Sequence, residues 1–370
     1  MKKLFTILYT LLIINNLHSQ GKQKLFIDTL DNAFDISYYM YNLHGLLPIP
    51  SPITEPAVGF GGVLATVYFI PKKSNTITKF KMPDIVGVTA GLTQNKTWFA
   101  GAGYLGFWKN DKIRYRGVIG YGDIKLKYYG ENNDFLSKYP INFSINSSFL
   151  LQQLVFRIKN TNFLLGGKYI FSKTIVNLFE NSESRFIPQI DIELQNSGIG
   201  AIAEFENYDL ILSPNKGLRV HIDYMQFAEI LGSSRNFGRI TAFLNFYIPL
   251  FKQKLISGFR FETQSKTGRT PFYMKPFIYM RGIPAMRYQG NNIALCETEQ
   301  LFMFNRRWGL NIFGGFGAIF PDYNLPKIWT AGTGFRYLIA RRLGLKMGID
   351  LAKSNNDWGI YIIFGSAWLR

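Results

Sequence analysis

Alternating polarity recurs along most of this chain and constrains its fold more than any other feature. In the segment 217–225, the even positions from 218 to 224 are apolar, whereas Arg219, His221 and Asp223 occupy odd positions. This period of two is typical of a β-strand with one apolar and one polar face. The pattern therefore predicts an all-β protein, either a soluble sandwich or a barrel. Similar alternation is present at 237–248, 254–264 and 344–353.

Composition favours a barrel in a membrane. The 370 residues are 47% hydrophobic and 16% aromatic but only 18% charged, against roughly a quarter charged in soluble domains. A soluble protein would need a second layer to cover an apolar face that recurs so often, whereas a barrel turns that face to lipid. Past residue 20, no apolar run approaches the roughly 18 residues of a membrane helix. We predict a single transmembrane antiparallel β-barrel of about 16 strands.

The N-terminus predicts export. Residues 1–20 combine Lys2 and Lys3, an apolar stretch at 4–14 and a polar end, which is the pattern of a secretory signal peptide with cleavage near Gln20. An uncleaved helical anchor is the alternative, but it needs a longer apolar run. Export of a chain rich in aromatic residues indicates the cell outer membrane.

Three regions follow from this interpretation. The signal peptide covers 1–20, and a periplasmic N-terminal segment covers 21–55, with a possible short helix within 28–42 and an extended proline-rich lead-in. The transmembrane β-barrel covers 56–370, with its first strand at 56–70 and its last at 357–367. The seventh and eighth strands are predicted at 186–195 and 198–208.

The charged faces are predicted to line the barrel interior. Around Gly120–Gly122 the parity of the charged positions changes, and a bulge there would keep Asp123, Lys125 and Lys127 inside. The other predicted lumen residues are Arg114, Arg116, Arg219, Arg239, Arg260, Arg336, Lys346, Glu204, Glu206, Asp223, Glu262 and Asp350.

No constellation for catalysis or metal binding stands out. With Cys296 as the only cysteine and His44 and His221 as the only histidines after the signal peptide, the usual metal sites are not supported. No serine is marked as a nucleophile, so we predict no enzyme, no catalytic residue, no metal and no cofactor. The net charge of +18 could suggest nucleic acid, but export argues against it, and we assign the surplus to the lumen and to lipid headgroups.

Several motifs together resemble the β-barrel of the BamA/TamA superfamily, also called bacterial surface antigen proteins. The resemblance spans most of the mature chain and is to the short form without polypeptide-transport-associated (POTRA) domains, since only about 35 residues precede the predicted barrel. The motifs that carry it lie at 50–59, 106–111, 213–217, 271–273, 280–284, 287–290 and 332–337.

The resemblance implies that the long loop 266–291 folds into the lumen. Its tip, Arg281-Gly282, would dock on the inner wall, where a guanidinium needs carboxylate partners. Glu297 and Glu299, on one face of the next strand, are placed to supply them. Gly315 stands where the family often has an aspartate. The alternative is that Arg281 is an ordinary solvated loop residue.

Glycines near the two predicted end strands suggest a weak closure. Gly59, Gly61 and Gly62 fall at the first predicted strand, and Gly359 and Gly365 at the last. Poor closure would leave backbone groups free to pair with another strand, although glycine there could equally relieve crowding. The resemblance implies a role in inserting, translocating or organising outer-membrane proteins or lipids. Outer-membrane lipid and further periplasmic or outer-membrane proteins are the expected partners. The alternative is a passive transport or structural barrel with a basic, loop-plugged lumen.

Overall fold

The computed structural model of the chain describes residues 26–41, 46–70, 72, 83–130, 136, 138–178, 190–321, 328–355 and 357–368. The predicted signal peptide lies outside these residues. Within them, no helix is long and apolar enough to cross a membrane.

Sixteen antiparallel strands form one sheet in which each strand is hydrogen-bonded to the next along the chain. The sheet curls into a nearly closed barrel, so the predicted fold is confirmed. The strands are β1 Leu46–Ile53, β2 Gly61–Ile70, β3 Asp84–Thr93, β4 Trp98–Trp108, β5 Ile113–Tyr128, β6 Ile141–Arg157, β7 Phe163–Leu178, β8 Ile190–Glu206, β9 Gly217–Phe227, β10 Phe237–Leu250, β11 Leu255–Gly268, β12 Asn292–Met303, β13 Trp308–Phe320, β14 Ile328–Ala340, β15 Leu345–Ser354 and β16 Trp358–Phe364.

Two of the predicted strand assignments were wrong. One strand was missed and another was divided in two, so the predicted number of strands is still right. The proline-rich lead-in is itself the first strand, β1, because an edge strand needs backbone donors on one side only. The predicted strands 186–195 and 198–208 are one continuous strand, β8. Asn196, at the predicted break between them, is 1% exposed and faces the lumen, where its amide donates to the Tyr273 hydroxyl at 3.0 Å.

The bulge predicted in β5 is absent. Its register is continuous with β4 from 113 to 123 and with β6 from 113 to 128. Ile119 and Tyr121 are exposed on the outer face, and Asp123, Lys125 and Lys127 share that parity instead of facing the lumen. A membrane strand needs about 9–11 residues, whereas β5 has 16. Its last residues can therefore carry charge outside the hydrocarbon layer.

Elsewhere the charged faces do line the interior, and several of their side chains form ion pairs. Arg219 Nε lies 2.8 Å from Glu204 Oε1, and Arg114 Nη2 lies 3.1 Å from Glu206 Oε1. Arg260 is only 4% exposed and bonds a carboxylate on its own strand, Glu262. The lumen wall thus carries paired charges of both signs and is not a uniformly basic channel.

In the described part of the N-terminal segment, the chain forms a short helix, α1 Ser37–Tyr41, which begins later than the predicted helix. Asp28 and Asp31 accept hydrogen bonds from the backbone N–H two residues on, at 3.1 and 3.2 Å. These local bonds favour turns over helix. The carboxylates of Asp28, Asp31 and Asp35 also surround one guanidinium, that of Arg307 between β12 and β13, each within 2.6 Å.

Candidate functional site

A long loop between β11 and β12, residues 269–291, fills the middle of the barrel, and we call it the lumen loop. Ile278, Met280 and Ile283 are each at most 2% exposed. They form one apolar cluster with side chains on the inner wall of β12, β13 and β14: Ile293, Leu295, Ile319 and Ile328. Burial of this apolar surface fixes the loop inside the barrel.

The lumen loop also reaches the opposite wall. The ring of Phe272 meets the ring of Phe143 on β6 edge-on, with centroids 5.1 Å apart. Met286, 5% exposed, packs against Phe143 and against Val176 on β7. The loop therefore spans the lumen from wall to wall.

Arg281 lies at the centre of the contact between loop and wall. Its Nη2 donates to Glu299 Oε2 at 2.8 Å, and its Nη1 bonds Asp350 on β15. The guanidinium carbon lies 3.6 Å from the ring centroid of Phe313. Asp350 is fully buried and is shared with Arg336. The structure thus brings Arg281 and Glu299 together inside the barrel.

The other predicted carboxylate is engaged elsewhere. Glu297 sits directly across from Arg260 in the β11–β12 register and bonds it. Asp350 was predicted to face the lumen but not to bind Arg281, and only its inward parity could have signalled this. A side chain at Gly315 would begin 2.6 Å from the Cys296 carbonyl and 3.1 Å from Met280 Sδ. The wall therefore has no room for an aspartate at 315, and Asp350 supplies the second carboxylate.

Gly282 carries the loop tip onto the last two strands. Its φ is +88°, a conformation that favours glycine, and a Cβ would approach Ala352 to 3.2 Å. The Gly282 N–H donates to the Tyr361 hydroxyl on β16 at 2.8 Å, and the Ser354 hydroxyl donates to the Gly282 carbonyl at 2.7 Å.

The same loop holds the chain just after β1. The N–H of Ala285 donates to Glu55 Oε1 at 3.1 Å. Glu55 is largely withdrawn from water, and this burial raises the pKa of its carboxyl despite the backbone donors. The lumen loop therefore contacts chain segments on both sides of the gap between β1 and β16.

That gap, which we call the seam, lies between β1 and β16. Consecutive strands all form ladders, but no ladder joins β1 to β16 among the described residues. The predicted seam is corrected accordingly, because β1 precedes the strand that holds the first glycines. Gly61 and Gly62 lie in β2, and Gly59 precedes it with a φ of +77°. Gly359 lies on β16, and Gly365 turns the chain just after it with a φ of +80°.

A second blockage lies at the end of the barrel opposite to the entry of the lumen loop. After Gly365, the chain folds back so that Trp368, 5% exposed, packs against Tyr247, Ile256 and Leu301. Sequence reasoning missed this tail.

The turn between β8 and β9, residues 207–216, reaches the same place. The Ser366 N–H donates to the Leu212 carbonyl at 2.7 Å, and Lys346 Nζ lies 2.6 Å from Asn215 Oδ1. The tail and this turn together obstruct the lumen.

Across the described ranges, no group of three or more His, Cys, Asp or Glu side chains could hold a metal ion. His221 Nδ1 lies 3.2 Å from Glu204 Oε2, so its ring belongs to the charge network of the wall.

No protein-family model and no curated protein sequence matches the chain. Solved structures that are similar to it include three outer-membrane barrels. BamA from Haemophilus ducreyi lacking POTRA domains 1–3 gives a TM-score of 0.56 at 12% identity, over 86% of this chain and 69% of that chain. CdiB from Escherichia coli gives a TM-score of 0.55 at 9% identity, over 84% of this chain and 61% of that chain. CdiB from Acinetobacter baumannii gives a TM-score of 0.51 at 12% identity, over 86% of this chain and 59% of that chain.

The chain thus spans less than two thirds of either CdiB chain. Identities this low bear on the fold and on nothing finer. The chain is an all-β, 16-stranded barrel with the fold of BamA and CdiB.

Proposed function

We propose that this protein is an outer-membrane barrel of the BamA/TamA type that inserts, translocates or organises proteins or lipids, and that it acts at its seam. One observation carries the proposal: every consecutive pair of strands in the described sheet forms a ladder, whereas β1 and β16 do not. Unpaired backbone groups in lipid cost several kcal/mol each. A strand edge left open there is where another polypeptide would pair or where the wall would part.

The contents of the lumen support the same proposal. The lumen loop spans the barrel between opposite walls, and the tail at Trp368 with the turn 207–216 obstructs the other end. Passage through the centre would require two separate displacements. Passage or insertion at the seam requires the lumen loop to release its contacts to β16 and Glu55.

A passive or structural barrel is the second candidate. The observation that favours it is the set of loop contacts across the seam, from Gly282 to Tyr361 and from Ala285 to Glu55. If these contacts are permanent, they close the wall without a ladder, and the protein would be a plugged, static barrel.

A disulfide across the seam distinguishes the two candidates. In a Cys296→Ala background, Ser51→Cys is combined in turn with Gly359→Cys and Ile363→Cys, and the pair that forms a bridge is used. Cells depleted of the wild-type protein are scored for abundance of other outer-membrane proteins and for surface lipid. We expect the oxidised variant to fail and the reduced variant to work.

The control bridge is Ser147→Cys with Thr174→Cys, two partners in the β6–β7 ladder whose hydroxyls lie 2.8 Å apart. This bridge should be harmless, because that ladder has no reason to open. Full function with a locked seam would reject the proposal in favour of the static barrel. Purified protein in planar bilayers should show no steady conductance, because the lumen is filled. A steady open pore would indicate passive transport.

A further inference from the structure

Three prolines occupy alternate positions of β1. The strand reads LLPIPSPI from Leu46 to Ile53, with Pro48, Pro50 and Pro52 two residues apart. Proline has no backbone N–H and cannot donate to a ladder. Their common parity places all three missing donors on one edge of the strand.

That edge is the one that faces the seam. β1 pairs with β2 over its whole length, from Leu46 opposite Tyr68 to Ile53 opposite Gly61. In an antiparallel pair, alternate residues turn both backbone groups to the partner, and the residues between them turn theirs away. Since prolines cannot donate, the ladder to β2 uses Leu47, Ile49 and Ser51. Positions 48, 50 and 52 therefore point their backbone to the seam.

The two edges of the seam are thus unequal. Across 48–52, the β1 edge offers carbonyl oxygens but no N–H donor. The opposite edge, β16 Trp358–Phe364, contains no proline, so every residue that turns its backbone to the seam there has an N–H donor. In each bonded pair of an antiparallel ladder, both residues donate an N–H and accept at a carbonyl. The β16 edge can form both bonds with an incoming strand, whereas the β1 edge can only accept.

We propose that Pro48, Pro50 and Pro52 prevent the β1 edge from pairing, so that no ladder forms between β1 and β16. A polypeptide strand that enters the seam then pairs with β16. The pairing step rests on the proposed function, whereas the block at β1 does not. Only another strand supplies alternating donors and acceptors in lipid, because acyl chains supply neither. In place of a ladder, the lumen loop links the two sides of the seam through its hydrogen bonds to Tyr361 and Glu55.

Amide hydrogen exchange of the full chain in lipid nanodiscs tests the block at β1. The triple variant Pro48→Ala, Pro50→Ala, Pro52→Ala restores the donors. We expect the seam-facing amides of β16 to exchange about tenfold more slowly, because donors on β1 allow a ladder to form in which these amides bond to β1 carbonyls. Pro50→Ala alone should show a smaller effect in the same direction, and it serves if the triple variant folds poorly.

Pro249→Ala is the matched control, because Pro249 lies in β10 opposite Ile256, away from the seam. It should leave β16 exchange unchanged. Unchanged exchange in both seam variants, or wild-type β16 amides that are all as protected as those of β15, would overturn the inference.

A strand probe tests where pairing occurs. A photoreactive side chain replaces Ile362 on β16 or Ile49 on β1, and the probe is a synthetic peptide with the sequence of residues 357–368, compared with its scrambled form. Adducts with the ordered peptide at 362 alone support the inference. Adducts at 49 overturn it and leave the proposed function standing. If no adduct forms at either position, strand entry at the seam is rejected, and with it the proposed function. The hydrogen-exchange result then decides whether the prolines block pairing at β1.

Discussion

The backbone N–H of Gly282 donates a 2.8 Å hydrogen bond to the hydroxyl of Tyr361, which ties the tip of the lumen loop to the last strand of the barrel. Three residues further on, Ala285 holds Glu55, just beyond the first strand. The two sides of the seam are thereby linked through backbone N–H groups of the lumen loop, and not by a backbone ladder between β1 and β16. The stability of the barrel wall should depend on a loop that belongs to neither edge.

The first prediction concerns that bond. Tyr361→Phe removes the hydroxyl and leaves the Gly282 N–H without its partner, at a cost of about 1–3 kcal/mol. We expect faster disulfide formation between cysteines placed across the seam at 51 and 363, because the β16 edge is released. Tyr224→Phe is the control, since Tyr224 faces outward on β9 and its hydroxyl bonds Gln226 on the same strand. Equal rates in the two variants would contradict the bridging role.

Arg281 should be the largest single contributor to loop anchoring. Arg281→Ala leaves Asp350 and Glu299 facing a buried gap, and loss of one partner of such a network costs about 3–5 kcal/mol. We expect the folded band on unheated gels to disappear at a markedly lower temperature. Arg281→Lys should be intermediate, because an ammonium lacks the planar fork that bonds two carboxylates while stacked on Phe313.

Arg287→Ala is the matched control in the same loop. Arg287 Nε lies 3.4 Å from Asp357 Oδ2, and its guanidinium carbon lies 4.6 Å from the ring centroid of Tyr129. Because one long ion pair and one ring contact stand in place of the two carboxylates that bind Arg281, the loss of Arg287 should cost only about 1–2 kcal/mol. A loss for Arg287→Ala as large as that for Arg281→Ala would show that any loop cation is equivalent.

The barrel could be predicted from the sequence because alternation marks one lipid face and one polar face. The strand number is right only because one missed strand and one divided strand cancel. The inward loop was implied by the resemblance at Arg281-Gly282 and does not follow from alternation. β1 was missed because its alternate prolines were interpreted as an extended lead-in outside the sheet. The same prolines are compatible with a strand once one of its edges remains unpaired.

The partners of the site could be predicted only in part. Glu297 and Glu299 have the same parity, so sequence alone could not separate them. The choice depends on Arg260, which lies directly across from Glu297. Asp350 reaches Arg281 only because the barrel curves, bringing β15 beside a loop that follows β11, and no local pattern records such a contact.

The third prediction concerns the docking of the N-terminal segment. The hydrogen bond from Arg341 lowers the pKa of Asp28 to about 2, and the hydrogen bond from Arg307 lowers the pKa of Asp31. For Asp35, burial opposes the shift, but bonds from Ser37 and Arg307 still lower its pKa. Folded-state pKa values below the usual value near 4 mean that docking stabilises fully above that pH and weakens as pH falls towards 2.

A fluorophore at position 29 should therefore report a docked segment from pH 7 to about pH 4 and its release in stronger acid. Arg307→Ala should release the segment already at pH 7, because three carboxylates lose their common partner. Arg306→Ala is the control, since the neighbouring Arg306 is exposed and should leave the label docked. Release of the wild-type segment near pH 6 would contradict the assigned carboxylates.

The last prediction concerns the tail. Trp368→Ala removes a ring whose centroid lies 5.7 Å from that of Tyr247 and that packs beside Ile256 and Leu301. Truncation of a buried tryptophan costs about 3–5 kcal/mol, so carboxypeptidase should digest the C-terminus of the folded barrel. Trp358→Ala, which removes an outward ring that is 57% exposed, should leave the tail protected. Both variants should remain silent in planar bilayers, because the lumen loop still spans the interior. A pore opened by Trp368→Ala alone would show that the tail, and not the loop, seals the barrel.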